Sequence, residues 1–75
     1  MSRFRIKNSD TIKATASSAK TRKLLCSLYD SGYTSIKQVE RALIAKIPYF
    51  DGKKIDITIT NLEKEQSKHY TINVN

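Results

Sequence analysis

Apolar and polar residues alternate at the start of the chain. Residues 3–7 place Phe4 and Ile6 on one side and cations on the other, and residues 11–16 alternate in the same way. A period of two is typical of a strand with one buried face. The Asn-Ser-Asp segment at 8–10 has turn chemistry, because these side chains hydrogen-bond to nearby backbone. The pattern predicts a short N-terminal hairpin.

The spacing of apolar residues then changes from every second residue to the spacing of a helix. Leu24, Leu25, Leu28 and Tyr29 recur at positions that share one face of a helix. Serines that can cap a helix precede them, and a glycine follows at the position where helices commonly end. The pattern predicts a first helix over 18–31.

A second helix is predicted directly afterwards. Ser35 and Gln38 have the spacing of a capping box, in which each side chain satisfies a free backbone N–H. The apolar positions 36, 39, 43 and 47 form a stripe, and Pro48 ends the run because it disfavours helical geometry at the residue before it. The connection of about three residues predicts that the two helices pack as a pair.

The C-terminal third returns to strands. An Asp-Gly turn at 51–52 precedes residues 54–60, in which Ile55, Ile57 and Ile59 alternate with polar residues. Residues 61–68 are polar and predict an exposed hairpin tip. Residues 69–75 alternate again and predict a strand whose inward side chains are Tyr70, Ile72 and Val74.

The predicted order is therefore ββααββ, an α+β fold. The economical packing is an antiparallel sheet of three to four strands with two helices packed on one face. Residues 1–75 are expected to form a single compact domain, since 75 residues are too few for two cores. Dimerisation would relieve both a small core and an open sheet edge, so the sequence leaves a homodimer open.

Composition excludes several classes of protein. Apolar residues make up 39% of the chain, which argues against disorder, and no apolar run approaches the roughly 20 residues that a membrane-spanning helix needs. The lone Cys26 has no disulfide partner in the chain, which fits a reducing, cytoplasmic location. No membrane association is expected.

Candidate chemistry is sparse. There is no glycine-rich phosphate loop, no metal-ligand cluster and no nucleophile motif, so we expect no catalytic residues, no metal and no cofactor. His69 is the one candidate general base, for a small ribonuclease, but its strand position predicts an outward side chain without a titratable partner. Cys26 is interpreted as a small, half-buried filler.

Charge is the most informative property. The net charge is +7, and residues 1–28 carry seven cations against one anion, whereas residues 51–75 carry four of each sign. A basic region of this kind attracts polyanions. The predicted nucleic-acid-binding residues are the cations of this region: Arg3, Arg5, Lys7, Lys13, Lys20, Arg22 and Lys23.

Two functions remain in contention. The first is a small non-enzymatic nucleic-acid-binding protein that contacts phosphates through the basic N-terminal strand and helix. Threonines beside Lys13 would add hydrogen bonds, but no aromatic side chain is expected on this sheet face, so stacking of single-stranded bases is not expected. The alternative is a protein-binding inhibitor or adaptor that occupies the surface of a larger complex.

Overall fold

The computed structural model describes residues 4–47, 50 and 52–74. Within these residues, four strands and one helix follow one another in the order ββαββ. They are β1 (Ile12–Ser18), β2 (Leu24–Asp30), α1 (Ile36–Ala45), β3 (Lys54–Asn61) and β4 (Gln66–Asn73).

The four strands form one antiparallel sheet in the order β2-β1-β3-β4. Three strands are covered on one face by α1, which contacts β1, β2 and β3. We call this covered side the inner face and the opposite side the outer face. The β1–β2 turn lies at one end of the sheet, and the β3–β4 turn lies at the other.

The core lies between α1 and the inner face. Ile55, Ile57 and Ile59 of β3 are fully buried, and each contributes roughly 1.5–3 kcal/mol through burial. Beside them, Ala14 and Ala16 of β1 are also fully buried. Alanine is a poor strand former, but a small side chain at a central position leaves space for the helix above the sheet.

The predicted first helix over 18–31 is wrong, and with it the two-helix architecture. This stretch forms a turn and then β2, which pairs with β1. The pairing contains a β-bulge: Ala16 pairs with Cys26 and Ser17 with Leu24, so Leu25 is an extra residue. The bulge allows adjacent leucines in a strand, a pattern that otherwise resembles a helix. The fold remains mixed α+β.

The predicted strand over 3–7 is also absent from the described part of this segment. Residues 4–7 have no regular secondary structure, although Phe4 packs against the core and Ile6 is buried, as their alternation predicted. The partner of β1 in a hairpin is β2 and not the N-terminal segment. Alternation identified the buried side chains correctly but not the hydrogen-bonding partner.

The remaining elements confirm the sequence patterns. The helix predicted from Ser35 is α1, and Ser35 is its N-cap, with a hydroxyl that accepts from the Gln38 N–H. Strands β3 and β4 occupy the predicted C-terminal hairpin, but β4 begins three residues earlier than expected. Val74, expected to face inward, lies beyond β4 and is exposed. Pro48, the predicted helix stop, lies outside the described residues.

The single described helix, α1, has 10 residues. Among the described ranges, no helix is both long enough and apolar enough to cross a membrane.

Candidate nucleic-acid interface

A tight turn joins β1 to β2 and carries three cations. The Arg22 N–H donates to the Ser18 carbonyl at 2.7 Å, and the Ser18 N–H donates to the Lys23 carbonyl at 2.9 Å. Arg22 has a left-handed backbone, with φ of 61°. These constraints hold Lys20, Arg22 and Lys23 within one short turn, where all three side chains are exposed.

A second chain segment brings two more cations to the same end of the sheet. The Ala19 N–H donates to the Lys54 carbonyl at 3.2 Å, which places the start of β3 against the turn. Lys53 and Lys54 are both exposed there. We call the resulting cluster the basic end; its members are Lys20, Arg22, Lys23, Lys53 and Lys54.

An open depression lies within the basic end. Four lysines line it, together with the half-buried side chains of Leu25 and Phe50. The Phe50 ring lies directly against Gly52, at a position where any Cβ would overlap the ring. The described lining residues include no carboxylate, and Asp51 lies outside the described residues. The described part of the depression therefore combines positive charge with a small apolar floor.

The structure does not gather the other sequence-predicted cations at this end. Arg5 and Lys7 lie at the opposite end, where the Arg5 carbonyl accepts from the Asn61 side chain and the Lys7 carbonyl accepts from the Asp10 N–H. Lys13 projects from the outer face of β1. Arg3 lies outside the described residues. The seven predicted residues thus occupy several regions, and three of them contribute to the basic end.

The outer face is rich in hydroxyl groups that form cross-strand hydrogen bonds. The Thr58 hydroxyl lies 2.8 Å from His69 Nδ1, and the Thr60 and Ser67 hydroxyls are 3.2 Å apart. His69 is exposed on this face, as its strand position predicted. The Thr71 hydroxyl donates to Asp56 at 2.6 Å.

One aromatic residue does project from the outer face, contrary to the sequence-based expectation. Tyr29 pairs with Lys13 and is 70% exposed. The expectation failed because Tyr29 was assigned to the buried face of a helix. In β2 it lies on the face opposite Leu28, which is buried.

Two other polar side chains serve the packing of α1. The Cys26 thiol donates to the Leu43 carbonyl at 3.2 Å, and burial raises its pKa, which opposes formation of a thiolate. Cys26 is half-buried as predicted, although on a strand. The Tyr70 hydroxyl donates to Glu40 at 2.8 Å; burial and this bond to a carboxylate raise the pKa of Tyr70. Within the described ranges, no group of three His, Cys, Asp or Glu side chains is placed to hold a metal ion.

Sequence reasoning missed Lys53 and Lys54 as site residues. They belong to a segment with zero net charge, so averaging over the C-terminal third conceals them. A pairing of β1 with β3 would have revealed them, because antiparallel pairing places the residues before β3 beside those after β1.

Comparisons with protein-family models, curated proteins and solved structures find no match for this chain.

Proposed function

We propose that this protein is a non-enzymatic nucleic-acid-binding protein that contacts backbone phosphates through the basic end. The main support for the proposal is that five exposed cations, from two segments far apart in sequence, lie together at the basic end. Lysine and arginine side chains neutralise phosphates, and such contacts supply most non-specific affinity for nucleic acid.

The shape of the basic end supports the same function. Three of its cations lie at the tip of the β1–β2 hairpin, and a two-stranded ribbon is narrow enough to enter the major groove of DNA. Lys53 and Lys54 lie behind this tip, where they would face the phosphates at the groove edge. Contacts from these cations to phosphates depend on the charge and shape of the duplex and not on the identity of the bases. We therefore expect little discrimination between base sequences.

A charge-reversal experiment tests the proposal. The basic-end variant replaces three cations outside β2: Lys20→Glu, Arg22→Glu and Lys53→Glu. The matched control makes the same net charge change on α1 and β4, with Lys37→Glu, Arg41→Glu and Lys68→Glu. Fluorescence anisotropy measures the affinity of each variant for short duplex DNA, duplex RNA and single-stranded DNA at about 0.15 M salt.

We expect the basic-end variant to bind every duplex sequence at least about tenfold more weakly than the control variant, because it alone loses phosphate contacts. Equal losses in the two variants would show that net charge, and not this cluster, attracts the nucleic acid. If the wild-type protein binds none of the three probes, the proposal is wrong. The alternative, a protein-binding inhibitor or adaptor, would then replace it.

A further inference from the structure

Strand β2 is an edge strand that carries little charge, although its pairing with β1 includes a β-bulge at Leu25. It is the first strand in the sheet order, so its outer side has no strand neighbour in the described part of the chain. Its first six residues, 24–29, carry no charge. Edge strands expose backbone N–H and C=O groups, and charged residues commonly prevent these groups from pairing with another chain. The other edge, β4, does carry such a residue, Lys68.

Among the described residues, the two most exposed of the large apolar side chains both lie on β2. Tyr29 is 70% exposed and Leu24 is 61% exposed. They pair with Lys13 and Ser17, respectively, and therefore project from the same outer face. Because one lies near each end of the strand, an antiparallel second copy of β2 would bring the tyrosine of one chain close to the leucine of the other.

Charge at the ends of β2 is also self-complementary. Lys23 immediately precedes the strand and Asp30 is its last residue, and both side chains are exposed. Antiparallel overlap of two copies places Lys23 of each beside Asp30 of the other. This arrangement offsets part of the repulsion between two chains that each carry a net charge of +7.

We propose that this protein forms a homodimer in which β2 pairs antiparallel with β2 of a second copy. With Leu25 unpaired at the bulge, a twofold axis at Ser27 pairs Leu24 with Tyr29 and Lys23 with Asp30 of the other copy, and it extends the two four-stranded sheets into one of eight strands. The pairing satisfies the open backbone groups and covers Tyr29 and Leu24. A second copy is the partner that matches both strand ends at once, and the proposal does not depend on nucleic-acid binding.

The first test places a positive charge on edge strand β2 in one variant and on edge strand β4 in another. Tyr29→Lys inserts a lysine into the proposed interface at an exposed position that the fold does not need. Ser67→Lys is the matched control, because Ser67 is the outermost residue of the same cross-strand row at the opposite edge. Sedimentation equilibrium gives the dimer dissociation constant for each protein, and circular dichroism verifies the fold.

We expect Tyr29→Lys to raise the dissociation constant at least about tenfold, and Ser67→Lys to leave it close to the wild-type value. A wild-type protein that remains monomeric up to about 1 mM would overturn the proposal. So would a dimer that Ser67→Lys disrupts and Tyr29→Lys does not, since that result assigns the interface to β4.

The second test reverses the charge at one end of β2 or at the other, in separate variants. Lys23→Asp and Asp30→Lys each place like charges together at both ends of the proposed interface, so each variant alone should dimerise more weakly than wild type. An equimolar mixture restores two opposite-charge contacts and should form a heterodimer. The control mixture, Lys68→Asp with Glu63→Lys, makes the same charge changes away from β2. Equal association in the two mixtures would overturn the antiparallel β2 arrangement.

Discussion

At the scale of single residues, a buried polar cluster fixes the N-terminal segment. Asn61 is fully buried, and its side-chain N–H groups donate to the Arg5 carbonyl and to Asp10, both at 2.9 Å. Its side-chain oxygen accepts from the backbone N–H groups of Glu63 and Lys64. Burial of an amide is tolerated here because its donors and acceptor are used. One side chain therefore joins the chain start to the β3–β4 turn.

Asp10 makes stability depend on pH at the acid end. The bond from Asn61 and the bond from the Lys7 N–H hold the pKa of Asp10 below its ordinary value of 3.8. The unfolded chain therefore takes up a proton at higher pH than the folded chain does. The stabilisation from Asp10 is fully present above pH 3.8 and is lost as the pH falls through the lowered pKa of the folded state.

We expect Asp10→Asn to unfold at lower denaturant concentration at neutral pH and to lose less stability on acidification than wild type. Urea unfolding between neutral pH and pH values below 3.8 measures both effects. Asp30→Asn is the control, since it leaves the Asp10 bonds intact and should retain the acid-side loss. If the free energy of unfolding of Asp10→Asn fell with acidification as steeply as that of wild type, the loss of stability could not be assigned to Asp10.

At the scale of elements, α1 depends on local capping and β2 on its neighbours. The Ser35 hydroxyl accepts from the Gln38 N–H at 3.3 Å, and the Gln38 side-chain oxygen accepts from the Thr34 N–H at 2.7 Å. These bonds join residues at most four apart, so they can be predicted without knowledge of the fold. Strand β2, in contrast, exists because β1 offers it a hydrogen-bonding edge.

The cap predicts a measurable contribution to stability. We expect Ser35→Ala to lower the free energy of unfolding by about 1 kcal/mol, because one N–H of the first helical turn loses its acceptor. The matched control is Ser31→Ala in the same connection, where the hydroxyl makes no hydrogen bond to the described residues. Thermal and urea unfolding of both variants tests the difference, and equal losses would contradict a specific role for the cap.

At the scale of the whole molecule, positive charge is unevenly distributed along the strands. The basic end lies at the β1–β2 turn, whereas the opposite end, beside the β3–β4 turn, carries charges of both signs. Its carboxylates are Asp10, Asp30, Glu63 and Glu65, and its cations include Arg5, Lys7 and Lys64. In the field of a polyanion, such an asymmetry would favour encounters with the basic end leading.

The dependence of the binding constant on salt concentration should report how many phosphates the protein contacts. With the five cations of the basic end engaged on duplex DNA, the slope of log K against log salt should be roughly −4 to −5, at about −0.9 for each phosphate. The basic-end variant should have a slope about three units shallower, and the variant on α1 and β4 should not. Anisotropy titrations at several salt concentrations measure the slopes. A nearly flat wild-type slope would contradict phosphate contact.

The amino-acid sequence by itself determined α1, β3 and most of β4, because capping and strict alternation act between residues close together in the chain. It also determined which residues of the N-terminal segment are buried. Tertiary structure alone decided that 24–30 is a strand, because Leu24, Leu25, Leu28 and Tyr29 fit a helix as well as a bulged strand, and only pairing with β1 separates the two. The two pairings of β1 also decided the candidate surfaces. Pairing with β3 brought Lys53 and Lys54 to the basic end, and pairing with β2 turned Tyr29 outward. Both results depend on hydrogen bonds between segments that the local pattern cannot relate.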